Sequence, residues 1–221
     1  TNGHNFGQED YAAQYVITPA RLTVSVYYGE QASAVNSHTV TYGNDVQFAY
    51  SFDGFKGTES YTNLEGGKND ADALYRTGSL GDPYYLVGQT QTNYTPWETG
   101  VGKYSMLFDI DGLSFLNYDL TVGNATILTV AKRTITASID KNTFPIYNRG
   151  EIDSNGGAHG ETIDAIVAFA GVDAAHSGYL PTLNNGYTLT YVGAGTTPNV
   201  AGDYKVTVTL AANSNYALSD T

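Results

Sequence analysis

Apolar and polar residues alternate with period two in several stretches of this chain. Leu22, Val24 and Val26 share one side, with Thr23 and Ser25 on the other. Val46, Phe48, Tyr50 and Phe52 alternate with Asp45, Gln47, Ala49 and Ser51. Further rows are Tyr104, Met106, Phe108 and Ile110; Ile135, Ala137 and Ile139; Tyr187, Leu189 and Tyr191; and Tyr204, Val206, Val208 and Leu210. Period-two alternation predicts strands buried on one face, as in antiparallel sheets. Helical spacing is scarce. It is confined to Asp70–Arg76 and to Ile163–Phe169, and the latter fits a buried strand equally well. The pattern predicts an all-β chain of sandwich type. A sheet carrying one packed helix, a β-grasp-like α+β module, is the alternative.

The rows recur in order. Ile17-Thr-Pro-Ala-Arg-Leu-Thr-Val-Ser-Val26 lines up with Leu128-Thr-Val-Ala-Lys-Arg-Thr-Ile-Thr-Ala137. Val101-Gly-Lys-Tyr-Ser-Met-Leu-Phe-Asp-Ile110 lines up with Ala201-Gly-Asp-Tyr-Lys-Val-Thr-Val-Thr-Leu210. Thr95-Pro96 and Thr197-Pro198 precede the second pair, and Asn117-Tyr118 and Asn215-Tyr216 follow it. Three landmarks in one order predict two tandem modules, residues 20–130 and 131–221. The first carries extra sequence around residues 64–93. Residues 1–19 read as the terminal strand of a preceding repeat or as a linker, and the whole as a piece of a longer polypeptide. The junction Thr126–Arg133 has no Gly-, Pro- or charge-rich spacer, which predicts a stiff, end-to-end arrangement.

Composition narrows the partners. The net charge is −12, from 22 acidic and 10 basic residues, so phosphate backbones and anionic lipids are repelled. Charged residues make up only 14%, and neutral polar groups must cover much of the surface. Tyr dominates the aromatics, at 19 against 8 Phe and one Trp. Tyr, Thr and Val favour strands. There is no Cys, which excludes disulfides and thiolate metal sites. No run of apolar residues is long enough for a spanning helix, so no membrane insertion is expected.

The landmarks resemble the bacterial Ig-like surface repeats called MBG domains, of the YGX type. The residues that carry the resemblance in the first module are Thr41-Tyr-Gly-Asn44, Gly102-Lys-Tyr104, Asn117-Tyr-Asp-Leu120 and Ile127-Leu-Thr-Val-Ala-Lys132. In the second they are Tyr147-Asn-Arg-Gly150, Gly186-Tyr-Thr-Leu-Thr-Tyr191, Ala201-Gly-Asp-Tyr204 and Asn215-Tyr216. The second module has Tyr-Asn-Arg-Gly where the family pattern has Tyr-Gly-X. The resemblance implies two tandem Ig-like β-sandwich modules in the repeat region of an extracellular cell-surface adhesin of Gram-positive bacteria. It implies wall anchoring through parts outside this chain and no catalytic residues. The partners it implies are host mucin, matrix glycoprotein or glycan, together with neighbouring repeats of the same protein. A purely structural stalk that displays a distal binding domain is the alternative role.

Candidate chemistry is sparse. His4, His38, His159 and His176 are not spaced as a zinc set, and no nucleophile elbow or phosphate loop occurs. Asp109-Ile-Asp111-Gly112 is a weak Ca²⁺ candidate, but it lacks the full oxygen series of a calcium loop and reads as a turn. No other cofactor is expected. The cluster Tyr84, Tyr85, Tyr94 and Trp97 lies in or beside the extra sequence, with Gln91 among the rings. Sugars stack on exposed aromatic faces while amides bond their hydroxyls, so these five residues are the glycan-contact candidates. Core plugging is the competing role for Trp97 and the tyrosines. Tyr104, Tyr118, Tyr204 and Tyr216 recur at equivalent places and are expected to be anchors bonded to backbone.

Overall fold

The computed structural model describes residues 16–28, 37–61, 76–139, 165–194 and 203–219. The chain is all-β. In order come β1 (Ala20–Tyr28), β2 (Ser37–Thr41), β3 (Phe48–Asp53), β4 (Arg76–Gly78), β5 (Tyr84–Val87) and β6 (Thr90–Asn93). They are followed by β7 (Gly102–Met106), β8 (Leu113–Phe115), β9 (Tyr118–Val122) and β10 (Thr126–Ala131). Beyond Lys132 lie β11 (Arg133–Ile139), β12 (Val167–Ala170), β13 (Thr182–Leu183), β14 (Gly186–Gly193), β15 (Tyr204–Leu210) and β16 (Tyr216–Leu218). Among the described residues the one helical element is a 3-10 turn, Ala174–Tyr179.

Among the described residues no sheet combines strands from both sides of Lys132. The first half builds a sheet in the order β3-β1-β9-β8-β4, a second in the order β2-β10-β7, and the hairpin β5-β6. The second half builds β12-β11-β16 and β13-β14-β15. In the first half the two larger sheets face each other. Val24 and Val26 of β1 pack with Phe108, while Tyr28 joins Val40, Met106, Leu128 and Val130. The buried hydroxyl of Thr126 donates to the Val26 carbonyl at 2.9 Å and ties the layers. The period-two rows point as the alternation requires: Leu22 and Val24 are fully buried, and Thr23 and Ser25 less so.

The two Asn-Tyr landmarks make equivalent main-chain bonds. The Ala20 amide donates to Asn117 O, and the Arg133 amide donates to Asn215 O, each at 3.0 Å. β1 runs parallel to β9 from Ala20↔Tyr118, and β11 runs parallel to β16 from Arg133↔Tyr216. Ala20 therefore corresponds to Arg133, not to the Ala131 that sequence matching places opposite it. The slip is two residues. Strand side chains repeat every two residues, so such a slip leaves every face unchanged and is hidden from pattern matching.

Two expectations about local structure resolve here. Val167–Ala170 is a strand, paired antiparallel with Thr136–Ile139 of β11, and not a helix. Arg76 also enters a strand, while residues 70–75 and 163–164 lie outside the described residues. The extra sequence of the first half contributes β4 and the hairpin β5-β6. That hairpin is fastened to the end of β7 by reciprocal backbone bonds between Tyr84 and Leu107.

Candidate functional site

The five aromatic and amide candidates divide into two places. Trp97 and Tyr85 are buried. Tyr84, Gln91 and Tyr94 retain exposed surface.

Tyr84 and Gln91 meet at Asp109. The Tyr84 hydroxyl donates to Asp109 Oδ1 at 3.0 Å, and Gln91 Nε2 approaches Oδ2 at 3.5 Å. The bond to Asp109 raises the Tyr84 hydroxyl above the ordinary tyrosine range, because ionising it would lose the bond and oppose the carboxylate. Beside this trio the hairpin exposes Leu86 and Val87, 49% and 60% accessible. Asp109 thus serves as a hydrogen-bond acceptor. Asp111 sits in the exposed turn closed by the Leu113 amide on Ile110 O. Among the described residues no group of three or more His, Cys, Asp or Glu is arranged to hold a metal ion.

Tyr94 lines an open recess of about 250 Å³ with Asp45, Gln47, Asp82 and Asn93. Sites that enclose small ligands run to roughly 300–1,000 Å³, so this recess is a surface dimple. Both Asp45 oxygens are already engaged, by the Val46 amide at 2.8 Å and Gln47 Nε2 at 3.0 Å.

Trp97 lies elsewhere, at the junction of the two halves. It is held by the turn Tyr94–Thr99. The Thr99 amide donates to Thr95 O at 2.9 Å, and the buried Thr99 hydroxyl accepts from the Thr95 amide at 3.0 Å. Trp97 adopts φ 68°, a left-handed conformation that costs a bulky residue energy and persists only when its surroundings hold it. Those surroundings come from both halves. Tyr42 donates its hydroxyl to Trp97 O and packs edge-on to the indole at 5.6 Å. Gly43, at φ 84°, has no side chain, and a Cβ there would lie 2.7 Å from the indole carbons. The Tyr-Gly-Asn motif of the first half is thus the bed on which Trp97 rests.

The second half supplies the remaining contacts. The His176 imidazole stacks on the indole at 4.7 Å and 14°, and Tyr179 stacks at 5.7 Å. Both project from the 3-10 turn, which Asp173 caps by accepting from the His176 amide. Asp173 also holds His176 Nδ1 at 2.8 Å, and this pairing lowers the Asp173 carboxyl below its usual range. The adjacent Ser177 hydroxyl bonds Ala174 O, so the Asp–His pair serves here to orient a packing ring.

Arg133 joins the halves. Its guanidinium lies 4.9 Å from the indole centroid, donates from Nε to Tyr42 O at 2.8 Å, reaches Asn44 Oδ1 from Nη2, and contacts Gly171 O at 3.4 Å. A planar guanidinium can serve such a fork while lying against an aromatic ring, which an ammonium cannot. Asn215 Oδ1 accepts from the Val101 amide at 2.9 Å, and Tyr216 packs edge-on to Tyr42 at 5.5 Å. One apolar cluster consequently runs from Val40, Met106 and Leu128 through Trp97 and Tyr42 to Ile135 and Tyr216.

Sequence reasoning missed Arg133, His176, Tyr179 and Asn215. The available signals were the single Trp next to Thr95-Pro96 and the Gly of Tyr42-Gly43. Compared with known proteins, the chain matches no family model, no curated protein and no solved structure.

Proposed function

We propose that this chain is a non-enzymatic spacer from a bacterial cell-surface adhesin, built of two tandem Ig-like modules of the MBG type and located outside the cell. The modules are residues 20–130 and 131–221, and they hold a distal binding region away from the wall. One observation carries this reading. A single residue, Lys132, separates β10 from β11, and one apolar cluster continues across the boundary. A connection of one residue leaves no slack, whereas flexible linkers gain reach with length. Packing of Trp97, Arg133, His176 and Tyr216 adds resistance to bending. Such a stalk transmits force without itself needing a ligand. An acidic surface suits solubility in the open medium and gives no footing to nucleic acid.

Attachment to mucin, matrix glycoprotein or glycan is the second reading. It is favoured by the exposed Tyr84–Gln91–Asp109 trio beside Leu86 and Val87, since sugars are held by such mixtures of amide, carboxylate and apolar surface. A glycan, mucin and matrix-protein array probed with the whole chain separates the two. The spacer reading predicts no bound ligand. A ligand retained by the parent chain and lost in both Tyr84→Ala and Gln91→Ala would transfer the function to attachment through the hairpin.

A further inference from the structure

Asn is followed by Gly at Asn2, Asn155 and Asn185. The first two pairs lie outside the described residues. The third closes the turn between β13 and β14, where Asn184 and Asn185 are both exposed. The turn requires its glycine. Asn184 takes a left-handed φ of 61° and Gly186 a φ of 130°, and a Cβ on Gly186 would lie 2.8 Å from Pro181 Cβ. Asn185 O accepts from the Thr182 amide at 3.3 Å and from the Thr182 hydroxyl at 3.2 Å, while the Asn184 amide donates to Tyr187 O at 2.9 Å. The parallel strand β13 therefore bonds Asn185 and Tyr187 and passes over the Gly186 N–H. On the other side the Ala211 amide donates to Gly186 O at 2.8 Å, and antiparallel alternation gives the next bond toward β15 to Thr188. The Gly186 N–H enters neither ladder.

That nitrogen adjoins an exposed Asn side chain and carries no side chain of its own residue to block an approach. We propose that Asn185 deamidates spontaneously in the folded chain. Loss of the Gly186 amide proton to solvent hydroxide lets the nitrogen attack Asn185 Cγ. The bond from Cγ to the side-chain nitrogen breaks, ammonia leaves, and a cyclic imide closes. Water then opens the imide at either carbonyl, to aspartate or to isoaspartate. Water is consumed, ammonia is released, and no oxidation state changes.

Isoaspartate alters the fold more than aspartate does. It diverts the main chain through Asn185 Cβ and Cγ, adds a methylene before Gly186, and leaves the oxygen that held Thr182 on a side branch. The pairing of β13 with β14 is then lost. β13 follows directly on the 3-10 turn Ala174–Tyr179, which the Leu180 amide closes on Ser177 O at 3.1 Å. That turn carries His176 and Tyr179 onto the Trp97 indole. Chemical ageing at Asn185 thus loosens the junction from within the second half. The deamidation does not rest on the spacer reading. Its effect on Trp97 limits how long a stiff spacer stays stiff.

Incubation of the intact folded chain in mildly alkaline buffer tests it, followed by proteolytic mapping and labelling with an isoaspartyl methyltransferase. The peptide containing Asn185 is expected to gain the mass of an amide-to-acid exchange and to take up methyl label. Conversion is expected to quicken as pH rises, because the attacking nitrogen must lose its proton. Asn185→Gln is expected to stay unmodified there, since its longer side chain disfavours the ring. Trp97 is the only Trp, so its emission reports on the junction. The isoaspartate form, separated by ion exchange, is expected to emit further to the red than the parent and to unfold at lower urea. Freshly prepared Asn185→Asp adds the charge without the methylene and is expected to match the parent in both. An Asn185 that stays intact in the folded chain, or converts only in urea, overturns the proposal. An isoaspartate form with the parent's emission and midpoint overturns the link to the junction, as does Asn185→Asp shifting as far as that form.

Discussion

Replacing Trp97 by Ala should cost more than any other single truncation at the junction, and should cost it in a particular way. The side chain is 8% exposed. A large aromatic buries up to about 250 Å² and apolar burial is worth about 25 cal/mol per Å², which sets an upper bound of about 6 kcal/mol. Large-to-small core substitutions of this type cost about 3–5 kcal/mol, and we expect a value in that range. Part of it belongs to His176 and Tyr179, rings contributed from beyond Lys132. Stacked aromatic pairs contribute about 0.5–1.5 kcal/mol beyond their area. The Trp97→Ala and His176→Ala double-mutant cycle should therefore return a coupling of about that size. Urea unfolding followed by circular dichroism provides the free energies, and calorimetry reports cooperativity. The parent chain should unfold in one transition and Trp97→Ala in two, because the shared cluster is cut at its centre. A loss under about 1 kcal/mol for Trp97→Ala, or zero coupling to His176, would refute the account of the junction.

Other outcomes follow from single contacts. Gly43→Ala places a Cβ against the indole at a left-handed φ, so it should destabilise by several kcal/mol and shift the emission of the lone Trp, as read by fluorescence during urea unfolding. The Tyr216 hydroxyl is buried with no partner, whereas that of Tyr104 donates to Gly100 O at 2.7 Å. Tyr216→Phe should thus be neutral or stabilising and Tyr104→Phe should lose about 1 kcal/mol, compared by denaturant midpoints. Burial pushes Tyr50 and Tyr216 up to about 12 from 10.0. A group whose folded value is raised contributes its stability below its unfolded value and loses it as pH rises through the folded one. Stability should fall between pH 10 and 12, with these tyrosinates appearing late in an absorbance titration and together with unfolding.

The strand faces were legible because one-sided burial writes itself into every second residue, as Leu22, Val24 and Val26 show. The likeness of Asn117-Tyr118 to Asn215-Tyr216 was legible too, and each pair bonds a neighbouring parallel strand in the same way. Its register was not, because a slip of two residues preserves every face. The 3-10 turn carrying His176 is too short to have a period, although Asp173 at its cap is a local signal. Trp97 was the hardest residue to place. A lone Trp among tyrosines suits a sugar platform and a buried plug equally well, and only the distant residues Arg133, His176 and Tyr216 decide between them. Such contacts join positions far apart in the chain, so no window of sequence contains them. Tyr84 and Gln91 were read as neighbours of a shared surface, and they do converge, on Asp109.

Stiffness across Lys132 is the central claim, and the absence of Cys makes it directly measurable. Spin labels on Asp119→Cys and Thr188→Cys, both exposed strand positions in opposite halves, report the distance between the halves by pulsed electron resonance. A single narrow distance distribution is predicted, broadening in Trp97→Ala. A broad distribution in the parent chain, unchanged by Trp97→Ala, would contradict the account.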